Sequence, residues 1–361
     1  MADPRDLLPS EQPLQLLDPS GKPVDDPALP LPGTDRLLAA YTALVIGRRV
    51  NDQAGALVRQ GRLAVYPSSH GQEACQVGAA LALAEGDWLF PTYRDTVSAV
   101  ARGVDPVQVL TLLKGDWHAG YDPYEHRVAP QATPLATQLL HAVGVAHAAR
   151  LRGEDTVVMA LCGDGATSEG DFHEALNFAA VFKTPVVFFV QNNEYAISVP
   201  LARQSAAPSL AHKGIGYGVN GERVDGNDTP AVLAVLDRAV AAARAGEGPQ
   251  LVEAHTYRMQ AHTNADDDTR YRSSEEVDPW VERDPLLRME AFLRRKRVLT
   301  KARAAEIAEK AEAVAAAMRE GVSRDTDPDP SELFAHVYAE PTPQLEEQAA
   351  LLADELSREG N

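Results

Sequence analysis

Apolar residues follow two spacings along this chain, and where the spacing changes the elements change. Residues 157–162 form a continuous apolar run of strand length closed by Gly163-Asp164-Gly165, and residues 186–190 form a second closed by Gln191-Asn192-Asn193. Between them Phe172, Leu176, Ala179, Ala180 and Phe182 recur at helical spacing, and Ser168 with Asp171 three residues later resembles a capping-box start. A strand, helix, strand unit joins parallel strands through a right-handed crossover. Both strands therefore deliver their polar ends to one carboxyl edge of the sheet, where open α/β sheets bind ligands. Asp164, Asn192, Asn193 and a helix N-terminus then face one point, a combination suited to a hard divalent cation carrying a phosphate.

The same reading extends outwards. Residues 1–34 carry eight prolines, at 4, 9, 13, 19, 23, 27, 30 and 32, which predicts an extended arm with Leu14, Leu16, Leu17 and Val24 as anchors. Leu37, Leu38, Tyr41, Leu44 and Val45 predict a helix from Thr34 to about Arg59. Ser69 or a neighbour caps a second, with Ala74, Val77, Gly78, Ala80 and Leu81 on its packing side. A short strand from Trp88 ends at Thr92, Tyr93 and Arg94, a structural pair or, since arginine's planar fork suits phosphate, a ligand contact. Residues 115–132 show no period, so they read as a loop of the length used for active sites or interfaces; its His118 and His126 lack metal-ligand spacing and read as structural or surface residues. Thr133 starts another helix, whose polar beginning, Thr133 with Thr137 and Gln138, suits a cap, a cofactor wall or a monovalent cation. Residues 202–221 read as loop, 223–228 as a turn, 230–245 as helix and 250–257 as strand. The strand runs into a polar, acidic segment carrying His262. Asp284-Pro285, Thr300 and Thr342-Pro343 start the last helices, for packing and subunit contact. The expected organisation is an arm over 1–34, an α/β domain over 35–283 and a helical region over 284–361.

Composition narrows the function classes. The 361 residues, 45% hydrophobic and 24% charged, suffice for one large α/β core plus a satellite region. A formal charge of −18 excludes nucleic acid as a partner, because a binding face needs net Lys and Arg. Cys75 and Cys162 lack metal or redox spacing and read as buried, reduced thiols. With no run of membrane-span length and no apolar signal core, a cytoplasmic protein is expected and no membrane partner.

Three phosphate-binding devices can be compared by spacing. A dinucleotide fingerprint needs glycine where Ser168 stands, and a P-loop needs Gly-Lys-Ser/Thr where Gly170-Asp171-Phe172 stands. The third is a metal-bridged diphosphate, in which a cation separates Asp164 from the phosphates; Asp164, Asn193 and a backbone carbonyl near Tyr195 are a sufficient protein share.

Gly163-Asp164-Gly165 followed by Asn192-Asn193 resembles the thiamine diphosphate motif, and SEGDFHEALNFAA, NNEYAIS, HGQEA, TYRD, PLATQ, VDGND and HTNADDDTRYRS resemble, in order, the alpha subunit of the first, decarboxylating component of the 2-oxo acid dehydrogenase complexes. The likeness covers about residues 35–300. It implies an α/β thiamine diphosphate-binding fold, a parallel sheet with helices on both faces plus a helical C-terminal region. By the resemblance Asp164, Asn193 and the main-chain oxygen of Tyr195 hold Mg²⁺. Tyr93, Arg94, Thr133, Leu135, Gly165 and Ala166 meet the cofactor, and the Thr137-Gln138 region holds K⁺ in some relatives. His262 matches the active-site histidine that meets the diphosphate side and serves acyl transfer. A beta subunit completes an α2β2 heterotetramer, and a lipoyl-bearing acyltransferase accepts the acyl group. The chain departs from many relatives after Lys114-Gly115 and at Gln191. PLATQ and the segment after His262 favour branched-chain 2-oxo acids; TYRD and Gln191 also occur in pyruvate-type relatives. A non-catalytic assembly paralogue is the other alternative, against which intact Asp164, Asn193 and His262 count.

Overall fold

The computed structural model describes residues 7–24, 26, 29–116, 119–324 and 329–359, and Trp117 and His118 lie outside them. Two compact units are present, Met1–Val322 and Ser323–Asn361. The first is built on a sheet whose strands are β1 (Trp88–Phe90), β2 (Val158–Gly163), β3 (Val186–Asn192), β6 (Asn220–Asp225) and β7 (Gln250–His255). All neighbours are parallel, in the order β1-β2-β3-β7-β6. A two-stranded antiparallel hairpin, β4 (Tyr195–Ala196) and β5 (Val199–Pro200), follows β3.

Helices α1 (Thr34–Arg59), α2 (Glu73–Ala82), α3 (Thr96–Ala101), α4 (Pro106–Lys114), α5 (Pro123–His126), α6 (Thr137–Arg152), α7 (Gly170–Phe182), α8 (Thr229–Arg244), α9 (Ser274–Val281), α10 (Pro285–Arg295) and α11 (Lys301–Val322) complete this unit. The second unit carries α12 (Glu332–Ala335) and α13 (Pro343–Glu359). No helix among the described residues is long and apolar enough to cross a membrane.

Strand alternation sorts the core into two layers. Val158, Ala160, Cys162, Val186, Phe188 and Val190 face α6 and α7, meeting Leu139, Ala142, Phe172 and Leu176. Met159, Leu161, Val187 and Phe189 point the other way, onto Val232, Val235 and Leu236 of α8 and Ala79 of α2. A sheet covered on both sides needs apolar residues at every position, which is why β2 and β3 read as continuous runs.

Local chemistry explains several element limits. Asp284 accepts hydrogen bonds from Leu286 N at 2.8 Å and Leu287 N at 3.2 Å and, with Pro285 at the first helical position, starts α10. Other limits differ from the sequence reading. Glu169, not Ser168, precedes α7, because residues Gly165–Ser168 form a 3₁₀ turn, and Phe182 at the far end is exposed. Ser69 caps nothing; its hydroxyl donates to Arg94 O at 2.8 Å. The helix predicted at Thr133 begins at Thr137, after Ala136 turns left-handed at φ 66°. Residues 220–225 form a strand, β6, although their sequence NGERVD has almost no apolar signal; pairing with β7 imposes the extended form.

The arm runs along its own chain. Leu14 N donates to Arg223 O at 2.8 Å and Asp225 N to Leu14 O at 3.0 Å, so Leu14 extends the β6 edge. Leu16 N and Leu17 N donate to Asp228 Oδ2 at 2.7 and 2.6 Å, and buried Arg288 bonds Asp18 O, Leu17 O and Asp225. Burial raises the Asp228 carboxyl to about 6, against the pull of Arg288. Arg288→Met leaves this buried carboxylate without its cation and is expected to cost about 3–5 kcal/mol in denaturant unfolding. The variant should also be cut faster by protease within residues 7–24. Unchanged stability and cleavage would show that Arg288 does not hold the arm.

Candidate active site

Three adjacent strands end at the same edge. From β1 the chain continues into Thr92, Tyr93 and Arg94, from β2 into Asp164 and Gly165, and from β3 into Asn193 and the β4–β5 hairpin; Gly163 is in register with Gln191. From β7, one strand further, the chain reaches Arg258 and His262. These ends enclose a pocket of about 190 Å³ lined by Tyr93, Arg94, Leu135, Asp164, Gly165, Ala166, Asn193, Tyr195 and His262, together with Gln72, Gln138 and Gln191. Thr133 is exposed and does not line it, although its neighbours Ala132 and Pro134 do. Asn192 turns to the opposite side, where its amide donates to Glu253 at 2.8 Å. Gln138 opens the first turn of α6 with its amide nitrogen on Leu161 O at 2.8 Å.

Asp164 is 1% exposed. Its side-chain partner among the described residues is the neutral amide of Gln204, which donates to Oδ2 at 2.8 Å. Burial pushes its pKa upwards, with the Gln204 bond opposing. Gln204 also donates to Val199 O at 2.8 Å, while its own Oε1 is buried without a partner. Asn193 and Tyr195 line the pocket with Asp164 and are held by a tight backbone. Glu194 at φ 72° and Ile197 at φ 55° are left-handed on either side of Tyr195. His255 Nε2 meets Glu194 Oε1 at 2.7 Å from β7. Gly165 is required at its position, because a Cβ there would stand 2.7 Å from Ala196 Cβ.

Two buried arginines meet at His262, and Arg94 lines the pocket with it. Arg94, buried, donates to Ser68 O at 2.9 Å and His262 O at 3.1 Å. Arg258, also buried, donates to Ile197 O at 2.6 Å, Tyr271 Oη at 2.9 Å and Tyr195 O at 3.4 Å. Both guanidinium groups approach His262 Nδ1, at 3.1 and 3.4 Å. Guanidinium only donates, so Nδ1 must accept and the ring's proton sits on Nε2. Burial, then Arg94 and Arg258, hold the imidazole pKa down at about 4, with Asp266 opposing. Asp266 reaches this cluster through His262 N, at 2.9 Å, and Tyr271 Oη. Among the described residues no three His, Cys, Asp or Glu converge as a metal cluster.

Sequence reasoning passed over Arg258, Gln72 and Gln204. Arg258 follows a strand end and offers a signal, a charged residue where the apolar run stops, and Gln72 stands inside the HGQEA motif; Gln204 belongs to a loop whose sequence marks nothing. A titration of labelled histidines by NMR should find His262 neutral from pH 7 to about 5. Because its folded pKa lies below the ordinary value of about 6.5, the unfolded chain binds the proton first. The His262 contribution to stability is thus present above about pH 6.5 and lost as pH falls towards 4. An ordinary midpoint near 6.5 would contradict the double arginine contact.

Comparison with known proteins sets these observations in a family. The family model described as "Dehydrogenase E1 component" matches residues 41–331. The chain is 48% identical over 349 residues to the 3-methyl-2-oxobutanoate dehydrogenase subunit alpha of Mycobacterium tuberculosis, covering 96% of this chain and 95% of that one. It is 37% identical over 309 residues to the pyruvate dehydrogenase E1 component subunit alpha of Staphylococcus aureus, 85% of this chain and 84% of that one. The protein of the same description from Acholeplasma laidlawii is 36% identical over 333 residues, 92% and 96%. With the match spanning the sheet, the pocket and most of the helical region, the chain belongs to the dehydrogenase E1 component family.

Proposed function

We propose that this chain is the alpha subunit of a 2-oxo acid dehydrogenase component that decarboxylates a branched-chain 2-oxo acid on thiamine diphosphate and passes the acyl group to a lipoyl carrier. One observation carries the reading: the pocket is lined by a buried carboxylate, Asp164, and a buried guanidinium, Arg94, with Arg258 joined to it through His262. Asp164 is held by the neutral Gln204, and Arg94 by carbonyls and His262, so among the described residues the first has no cation paired to it and the second no anion. A cation bridged to a diphosphate supplies both.

The donor set fits that group. Asp164, Asn193 Oδ1 and the Tyr195 carbonyl are hard oxygen ligands of mixed charge, as Mg²⁺ takes when phosphate and water complete its shell. Gln204 holds one oxygen of Asp164 and so leaves the other for the cation. Thiamine diphosphate, when bound, supplies the electron sink that decarboxylation of a 2-oxo acid needs. Arg94 and Tyr93 would meet the diphosphate, and Gly165 and Ala166 give their backbone to it. Leu135, with the neighbouring Thr133 loop, borders it. His262, neutral and carrying its proton on Nε2, would meet the diphosphate side of the cofactor and serve acyl transfer as a proton donor. Exclusion of water from the buried side strengthens each of these interactions.

Identity of 48% to the branched-chain relative, against 36–37% to the pyruvate-type ones, supports that substrate over pyruvate, and the description "subunit alpha" supports assembly with a beta subunit. Co-purified with its beta partner, the chain should release CO₂ from 3-methyl-2-oxobutanoate in a reaction dependent on Mg²⁺ and thiamine diphosphate. The ratio of kcat/KM over pyruvate should be about tenfold or more, as a pocket reading two extra methyl groups allows. A preference for pyruvate would select the second reading, and no turnover of either acid would leave an assembly role. Asp164→Ala should abolish Mg²⁺-dependent cofactor binding in calorimetry; unchanged affinity would remove Asp164 from the site.

A further inference from the structure

Behind the pocket a chain of buried amides runs from a carboxylate to Asn193. Asp95 Oδ1 accepts from Gln191 Nε2 at 2.7 Å, Gln191 Oε1 accepts from Gln72 Nε2 at 3.1 Å, and Gln72 Oε1 accepts from Asn193 Nδ2 at 2.9 Å. All four residues are buried. The other carboxylate oxygen, Oδ2, takes Thr92 N and Thr92 Oγ1, both at 2.7 Å.

The two ends of a side-chain amide have nearly the same shape and opposite chemistry, so its network alone decides which end points where. Burial raises the Asp95 pKa, but the bonds from Gln191, Thr92 Oγ1 and Thr92 N oppose it, and a carboxylate holding these three donors only accepts. Gln191 must therefore turn its nitrogen to Asp95, which leaves its oxygen to Gln72. Gln72 must then give its nitrogen to Gln191 and its oxygen to Asn193. Asn193 is left with its nitrogen committed backwards and Oδ1 free on the pocket side, where it takes one long bond from Tyr195 N at 3.3 Å. The reverse polarity would aim two N–H hydrogens at a cation and repel it. The neighbouring asparagine is fixed by the same device with no intermediate links: Asn192 Nδ2 donates directly to Glu253 Oε1, and Glu253 Oε2 takes Ala211 N at 2.9 Å.

We propose that Asp95, acting through Gln191 and Gln72, is the positioning residue that makes Asn193 a cation ligand by fixing its amide oxygen towards the pocket. This rests on the cation-site reading above. It assigns Asp95 a role three hydrogen bonds from the cation, and assigns Gln191 and Gln72 the task of transmitting polarity.

The test uses the full chain with its beta subunit and reads Mn²⁺ affinity by electron paramagnetic resonance in the presence of thiamine diphosphate, with thermal melts to verify folding. In Asp95→Asn the amide at 95 can donate, the relay can run in either sense, and Mn²⁺ affinity should fall about 10-fold to 100-fold, as when an outer hydrogen-bond partner of a metal ligand is lost. Gln191→Met cuts the relay while leaving the Asp95–Thr92 turn intact, should show the same loss, and carries the test if Asp95→Asn does not fold. The double variant Asp95→Asn with Gln191→Glu moves the carboxylate one link nearer, restores an obligate acceptor for Gln72, and should recover Mn²⁺ affinity to within about threefold of wild type. Folded single variants that bind Mn²⁺ like wild type, or a folded double variant that stays as weak as the single ones, would overturn the relay alone. A wild-type assembly that binds no Mn²⁺ would overturn the cation site, and the relay with it.

Discussion

A carboxylate buried at the end of a strand sets the terms for everything around it. Removing Asp164 from water is costly, and the neutral amide of Gln204 offsets only part of that cost. At His262 the imbalance has the opposite sign, since Arg94 and Arg258 share a site in which Asp266 acts through His262 and Tyr271. The two arginines also settle the state of His262, because two donors at Nδ1 leave the ring neutral with its proton on the far nitrogen.

Such a site needs its oxygens aimed, and the backbone does much of that. Left-handed Glu194 and Ile197 bracket Tyr195 and fold the chain back into the β4–β5 hairpin, with Gly165 letting the 3₁₀ turn approach Ala196. Residues held in this region cost of order 1–3 kcal/mol each and persist where the surroundings over-determine them. Here the surroundings are the His255–Glu194 pair, Arg258 on two hairpin carbonyls, and the Asn192–Glu253 bond. Buried polar groups that are fully satisfied give one arrangement and not several.

The sheet makes these contacts possible by register. Parallel strands direct their carboxyl ends the same way, so segments separated by many residues in sequence, Tyr93 to His262, arrive at one edge. The arm reinforces the far side of the same edge. Arg288 ties it to Asp225 and Asp228 at the turn between β6 and α8, close to where β7 delivers His255.

By itself the sequence determined the elements whose signal is local. Continuous apolar runs located β2 and β3, Asp284-Pro285 located the start of α10, and the spacing after Gly163 excluded two of three ways to hold phosphate. The polar residues that close the runs, Asp164 and Asn193, were visible for the same reason. Only the tertiary structure decided the rest. Strand β6 has no apolar signature and exists because β7 offers it partners; Thr133 is exposed outside the pocket, ahead of the left-handed Ala136 at which α6 begins. Arg258, Gln72 and Gln204 occupy positions whose meaning depends on groups far along the chain. The orientation of an amide is the extreme case: nothing in the residue distinguishes its two ends, and only a chain of buried donors and acceptors, ending at a group that cannot donate, decides which one meets the ligand.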